Sequence, residues 1–144
     1  MFAEELKIKA ESFDSDAKAG ISVFKGSVEI RKGDDELNAS TVTIYTDKER
    51  KPVKYIAEKN VSFYIKSENN ATYQGRAQKA IFMPREKEYR FLGDVHLKQL
   101  DEKKQIDGEE VIVNTLEGRA IAKGAKKEPV IMIFQLDDDK GGLK

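Results

Sequence analysis

The sequence repeats a pattern of short, alternating apolar segments, and this repeat limits the possible folds more than any other feature. Val28, Val61 and Val95 hold equivalent places in three such segments, and they lie 33 and 34 positions apart. Apolar and polar residues alternate in each segment, which is the period of a β-strand with one buried face. A repeat of this length that is built only of strands predicts a stacked, antiparallel all-β fold. These three strand openings are predicted at residues 25–30, 58–63 and 92–97.

Turn-forming residues separate the apolar segments, and no stretch has the period of a long amphipathic helix. A short helical turn is predicted near residues 2–6 only. With 144 residues the chain is long enough for one domain with its own core. We therefore expect a single β domain at residues 1–136, followed by a polar, mobile tail at residues 137–144. Turns are predicted at residues 32–35, 67–70, 116–118 and 123–124.

In a second element of the repeat, a small residue is followed three positions later by an apolar one. A regular strand returns to the same face every two positions, so a step of three changes the face. A bulge or bend at this point would let both residues face one core, and stacked copies would make a sheet with a crease. The alternative is a tight turn between two separate strands. The four pairs are Ala10 and Phe13, Ala39 and Val42, Ala77 and Ala80, and Gly108 and Val111.

Two creased sheets that face each other would form a sandwich or flattened roll with an apolar interior. Its residues are mostly medium-sized aliphatics, which can pack against one another or line a groove for acyl chains. The pattern leaves both possibilities open. The residues predicted to face inward are Ile8, Phe13, Val28, Ile30, Leu37, Val42, Ile44, Val61, Phe63, Ile65, Phe82, Val95, Leu97, Ile106, Val111 and Val113.

Composition excludes several classes of function. The 26 basic and 26 acidic residues balance, which argues against a nucleic-acid-binding protein. Without cysteine there is no disulfide, thiolate metal site or cysteine nucleophile. The only histidine, His96, lies in an alternating strand and is predicted to point to solvent. We therefore predict no enzyme activity, no metal site and no cofactor, and the acidic run at residues 137–139 is expected to be solvated.

Two further features concern the surface and the compartment. Basic residues such as Lys32, Arg76, Lys98 and the pair at residues 103–104 fall at strand ends or turns. Such residues usually face solvent, although they can also contact the phosphates of an anionic lipid. The first residues lack the basic segment and apolar stretch of a signal peptide. If the protein is exported, we expect that a signal peptide has been removed.

Four segments in order resemble the OstA/LptA superfamily of lipopolysaccharide-transport proteins. Each segment alone is a weak signal, whereas the four together, in consistent spacing, cover residues 6 to 134. Ser40 stands where the family often has an aspartate. The four segments read LKIKAES (6–12), FKGSVEI (24–30, followed by 37–45), GRAQKAIF (75–82) and FLGDVHL (91–97).

The resemblance implies a creased antiparallel fold, called a β-taco or β-jellyroll, in the periplasm. It implies an apolar interior that shelters the lipid A acyl chains of lipopolysaccharide. It also implies end-to-end stacking, with residues 6–13 meeting an LptC-like protein and residues 111–133 meeting an LptD-like protein or another copy. Two alternatives stay open: an LptC- or LptD-type domain of the same pathway, and a structural β-repeat protein with a closed core.

Overall fold

The computed structural model describes residues 5–136 and shows one antiparallel sheet of ten strands that folds over on itself. The expected antiparallel all-β fold is confirmed, but one folded sheet replaces the two predicted sheets. The predicted helical turn near residues 2–6 is wrong at Leu6, which begins a strand, and residues 2–4 lie outside the described part. The strands are β1 (Leu6–Lys9), β2 (Ser12–Asp16), β3 (Ile21–Lys32), β4 (Asp35–Thr46), β5 (Pro52–Lys66), β6 (Thr72–Met83), β7 (Glu88–Gln99), β8 (Lys104–Asn114), β9 (Arg119–Lys123) and β10 (Ile131–Phe134).

Neighbours in the chain are neighbours in the sheet, so the strands form a meander. The order is β1-β3-β4-β5-β6-β7-β8-β10, with β2 beside the other half of β3 and β9 beside the other half of β8. The central strands are 11 to 15 residues long rather than short. The segments predicted to open strands at residues 25–30, 58–63 and 92–97 therefore lie in mid-strand, and that part of the prediction is wrong.

A β-bulge in every second strand produces the crease. At the crease, β3, β5 and β7 each carry one more residue than the strands paired with them, so the pairing register shifts there by one residue. The two residues of each bulge have positive φ, which bends the strand and lets the chain continue in it. Only the first copy of the motif is divided, because β1 ends at Lys9 and β2 begins at Ser12. The bulge pairs are Gly26 and Ser27, Lys59 and Asn60, and Gly93 and Asp94.

The crease divides the sheet into two halves that pack face to face. The first half-sheet ends at the turns at residues 33–34, 67–71 and 100–103, and the second ends at those at 17–20, 47–51, 84–87 and 115–118. We call the side on which these turns lie the mouth. The Phe63 ring of the first half-sheet stacks on the Phe91 ring of the second, with 3.8 Å between centroids. Nearer the mouth, the Tyr89 hydroxyl donates to Asp35 Oδ2 over 2.9 Å.

These contacts join strands that are offset along the chain. Phe63 on β5 faces Phe91 on β7, and Asp35 on β4 faces Tyr89 on β7. A strand of the first half-sheet therefore faces, in the second half-sheet, a strand that comes two or three places later in chain order. Because of this offset, the halves cannot cover each other at the two ends of the molecule.

Small residues near the crease let the halves approach each other. Ala39 and Ala77 are buried there, as are Val42 and Ala80 three positions further on. Each predicted pair on β4 and β6 thus faces one core within a single strand, which confirms the bend and excludes the tight turn. His96 lies on the outer face between the buried Val95 and Leu97, where its ring contacts the carboxylates of Asp94 and Asp107.

We predict that the bulge conformation is a condition for stability. Gly93 has a φ of 83°, and a Cβ at this position would press against the Gln78 side chain. Gly93→Val should lower the free energy of unfolding by about 2 kcal/mol, because a β-branched residue is strained at positive φ. Urea denaturation would measure this difference.

Lys59→Gly is the matched control, since Lys59 is exposed and holds a φ of 69° in the next bulge. Glycine removes the strain at that position, so this variant should be at least as stable as the unmodified chain. Equal destabilisation by both substitutions would show that positive φ is not the cause.

Candidate functional site

An apolar cavity lies between the two half-sheets in the N-terminal part of the molecule. Its empty space totals about 440 Å³ when the side open to solvent is included. Aliphatic and aromatic side chains from both half-sheets form its walls, and only its rim is charged. The burial of Tyr55 in this wall raises the pKa of its hydroxyl above the usual value. The lining residues are Leu6, Ile30, Lys32, Asp35, Glu36, Leu37, Val42, Tyr55, Ala57, Ala80, Phe82 and Tyr89.

Lys32 and Asp35 form the charged rim of this cavity at the mouth. The Lys32 ammonium lies over the Phe82 ring, 5.4 Å from its centroid. Asp35 accepts a hydrogen bond from the Tyr89 hydroxyl at one carboxylate oxygen and from the Lys66 backbone N–H, 3.0 Å away, at the other. The cavity is thus apolar inside and polar where it meets water, as a site for an amphiphile requires.

The mouth is pinned shut in the C-terminal part of the molecule. The Glu68 N–H donates to the Thr115 carbonyl over 2.8 Å, which joins the turns at residues 67–71 and 115–118. The Asn69 side chain donates to the Glu117 carbonyl across the same gap, at 3.1 Å. The Tyr73 hydroxyl adds a third bond, to the Gly118 carbonyl at 3.0 Å. The cavity therefore lies in the half of the molecule whose mouth lacks these turn-to-turn bonds.

Each end of the molecule leaves one half-sheet uncovered on its inner face. At the N-terminal end, Phe13 pairs with Phe24 on the inner face of the second half-sheet and is 61% exposed. At the C-terminal end, Met132 and Phe134 continue the inner face of the first half-sheet and are 46% and 56% exposed. The offset of the halves explains both, because residues 5–136 hold no strand two or three places before β2 or after β10.

Of the sixteen residues predicted to face inward, fifteen are covered by other side chains of the interior. The exception is Phe13, which is exposed. Phe13 faces inward but has no opposing strand, so the prediction that it lies inside is wrong. Of the enclosed residues, Ile8, Leu37 and Phe82 are half-buried against the core. Four of the sixteen line the cavity, and the buried others form a packed core. The four are Ile30, Leu37, Val42 and Phe82.

Sequence reasoning missed several residues of this interior. Phe91 is fully buried at the centre, and Tyr55 and Tyr89 line the cavity. The pairs Tyr55-x-Ala57 and Tyr89-x-Phe91 alternate like the chosen segments, and each precedes a bulge. The alternation of these residues was visible in the sequence. Because the bulge shifts the alternation by one position, residues before and after it do not share one continuous pattern, although both groups face the interior.

Residues 5–136 hold neither a cluster of metal ligands nor a membrane-spanning helix. Among residues 5–136, no group of three or more histidine, aspartate or glutamate side chains is placed to hold a metal ion. No helix in that range is long and apolar enough to cross a bilayer. The acidic run at residues 137–139 and the rest of the predicted tail lie outside the described residues.

A creased antiparallel sheet that wraps an apolar cavity with a charged rim is a β-jellyroll architecture. Residues 7–119 match the family model described as LptA/(LptD N-terminal domain) LPS transport protein. The chain therefore belongs to this family of lipopolysaccharide-transport proteins, which is a transport family and not an enzyme family.

The fold agrees with a solved structure. LptH of Pseudomonas aeruginosa, described as the LptA-homologous periplasmic component of the lipopolysaccharide transport device, superposes with a TM-score of 0.80. The two share 18% identity over 91% of this chain and 95% of the LptH chain. Comparison with curated protein sequences gives no match.

We predict that Tyr73 holds the mouth shut in a way that depends on pH. Burial, then the charges of Asp101 and Glu102, raises the pKa of its hydroxyl above 10.0. At neutral pH, Tyr73→Phe should lower the free energy of unfolding by about 1 kcal/mol, the net value of one hydrogen bond. Urea denaturation between neutral pH and about pH 11 would measure the change.

The difference in unfolding free energy between the unmodified chain and Tyr73→Phe should narrow above pH 10. At that pH Tyr73 of the unfolded chain loses its proton while Tyr73 of the folded chain still keeps it, which favours unfolding of the unmodified chain only. Its stabilisation is complete below that pH and is lost as the pH rises through the raised pKa. Tyr64→Phe, on the exposed outer face, is the control and should change neither value. A difference that stays constant over the whole range would contradict the assignment.

Proposed function

We propose that this protein is a periplasmic carrier that shelters the acyl chains of lipopolysaccharide between its two half-sheets. Family membership supports the lipid class, and the LptH likeness supports the compartment. In this proposal the lipid-binding residues are those of the cavity wall, with the neighbouring core residues taking part as the lipid moves. The partners are lipopolysaccharide, LptC-like and LptD-like proteins, and further copies of this chain.

The single observation that carries this proposal is the cavity, which is apolar inside and charged only at its mouth. Acyl chains gain roughly 0.8 kcal/mol for each CH₂ group removed from water, so an apolar interior retains them strongly. A sugar headgroup cannot enter such an interior without losing its hydrogen bonds to water. The mouth above Lys32 and Phe82 lets the headgroup stay in water while the chains are enclosed.

The two uncovered ends support end-to-end assembly. The C-terminal end exposes the inner face of the first half-sheet, at Met132 and Phe134, whereas the N-terminal end exposes that of the second, at Phe13. If the N-terminal end of one copy is placed against the C-terminal end of another, both half-sheets continue from copy to copy and these residues cover each other. An open strand edge also offers unpaired backbone groups that the next domain can use. An LptC-like or LptD-like domain with the same offset fits either end.

We predict that photo-crosslinking to lipopolysaccharide will follow the cavity wall. A diazirine-bearing amino acid would replace Ile30 or Phe82 in the purified chain, which would then be irradiated with lipopolysaccharide. Lipid adducts, detected by mass spectrometry, should form at both positions because their side chains line the cavity. Tyr64, on the outer face of the same sheet, is the control position and should give none.

Adducts at Tyr64 as strong as those at Ile30 would indicate surface adsorption and contradict enclosure. No adduct at any position, from a chain whose circular dichroism matches that of the unmodified protein, would favour the closed structural β-repeat protein instead.

We also predict that a disulfide can join the two ends of neighbouring copies. The chain has no cysteine, so a mixture of Phe13→Cys and Phe134→Cys variants has one thiol in each molecule. In an equal mixture, oxidation should give mixed dimers well above the two-to-one excess over each homodimer that random pairing produces, because the offset places these positions against each other only between opposite ends. Intact-mass measurement distinguishes the three products.

Phe13→Cys mixed with Leu116→Cys is the matched control, since Leu116 is exposed at the mouth instead of at an end. Equal yields of mixed dimer in both mixtures would contradict the proposed contact.

A further inference from the structure

A polar recess lies directly over the opening of the apolar cavity, and nothing so far gives it a role. The recess encloses about 600 Å³, open side included. It shares Lys32, Asp35 and Phe82 with the cavity, so the two spaces are continuous. Lys32 comes from the first half-sheet, as does Lys66, and Lys87 comes from a turn of the second. Three lysines from both sides of the mouth therefore border one recess, and three acidic residues share its lining.

We propose that this recess binds the phosphate group of a lipid headgroup whose acyl chains occupy the cavity below. The proposal rests on the function proposed above and adds the chemistry of the headgroup site. An amphiphile with its chains in the cavity must place its headgroup at the mouth, where Lys32 borders both spaces. Phosphate is the headgroup component that ammonium groups bind best, through charge-assisted hydrogen bonds.

The acidic residues in the lining of the recess are Asp34, Asp35 and Glu68. Asp34 is exposed to solvent, which screens its charge. Both carboxylate oxygens of Asp35 already accept hydrogen bonds, from Tyr89 and from the Lys66 backbone. Glu68 pairs with Lys87 at 3.1 Å, but both side chains are about half exposed. Such surface pairs contribute little, so a phosphate can take the place of Glu68 beside Lys87. The Lys32 ammonium stays near the opening because it lies over the Phe82 ring.

The test compares lipopolysaccharide with the same material after its phosphates have been removed. The full chain and the double variant Lys32→Gln with Lys87→Gln would be titrated with each lipid. The double variant should bind phosphorylated lipid about tenfold more weakly, since two solvent-exposed ion pairs are lost. It should lose much less affinity for the dephosphorylated lipid than for the phosphorylated lipid, because Lys32 also borders the cavity. Added salt should weaken only the binding of phosphorylated lipid by the unmodified chain.

The matched control is Lys98→Gln with Lys123→Gln, which changes the net charge equally at exposed positions away from the recess. It should bind both lipids as the unmodified chain does. Circular dichroism and urea midpoints would show whether both double variants fold alike. If Lys32→Gln with Lys87→Gln unfolds, each single variant would be titrated in its place, with about half of the logarithmic effect expected.

Four results would overturn the proposal. Equal affinity of the unmodified chain for both lipids would remove the phosphate site and leave the proposed carrier function standing. Equal weakening by the control double variant would show a general charge effect. Inorganic phosphate that displaces the phosphorylated lipid at equal concentration would identify a site for the free anion. Failure of both lipids to bind would overturn the carrier function as well, and it differs from the first result because the dephosphorylated lipid also fails.

Discussion

The rest of the structure depends on the bulge that interrupts every second strand. Each bulge needs two consecutive residues at positive φ, a conformation that costs an L-residue about 1 kcal/mol or more. Glycine removes this cost at Gly26 and Gly93, whereas Lys59 and Asn60 accept it, which indicates that packing on both sides of the crease compensates. Because the bulges stack in one line, the bends add up and the meander folds into two facing halves. Without them, the same alternating sequence would make a flat sheet with one bare apolar face.

The offset between the halves then determines where a ligand can go. In the middle of the molecule each half covers the other, and aromatic rings such as Phe63 and Phe91 fill the space. Towards the N-terminal end the cover is incomplete, and the cavity lies there. At the extreme ends the inner face is bare, at Phe13 on one side and at Phe134 on the other. One geometric fact thus produces a packed centre, a cavity and two complementary ends.

Much of this architecture could be predicted from the sequence, and the failures have physical causes. The spacing of three between Ala39 and Val42 correctly predicted a bend with both residues inward, since a change of face is readable from the spacing alone. The position of the bulge was not readable in every copy. Gly26 and Gly93 begin two of the bulges, but the third is formed by Lys59 and Asn60, which are ordinary polar residues. The exposure of Phe13 depends on which strand lies opposite. That is a property of the folded offset, and no local pattern encodes it.

The packed centre and the proposed carrier function are compatible on energetic grounds. Side chains in the centre contact one another through apolar surface, and an acyl chain offers the same kind of surface. Moving a lipid between the halves therefore exchanges one apolar contact for another, and little area returns to water. What must break are the hydrogen bonds that pin the turns at residues 67–71 and 115–118, each worth about 1 kcal/mol net. Burial of a few CH₂ groups at roughly 0.8 kcal/mol each offsets that cost. The pinned mouth can thus act as a barrier that a lipid's own acyl chains are able to open.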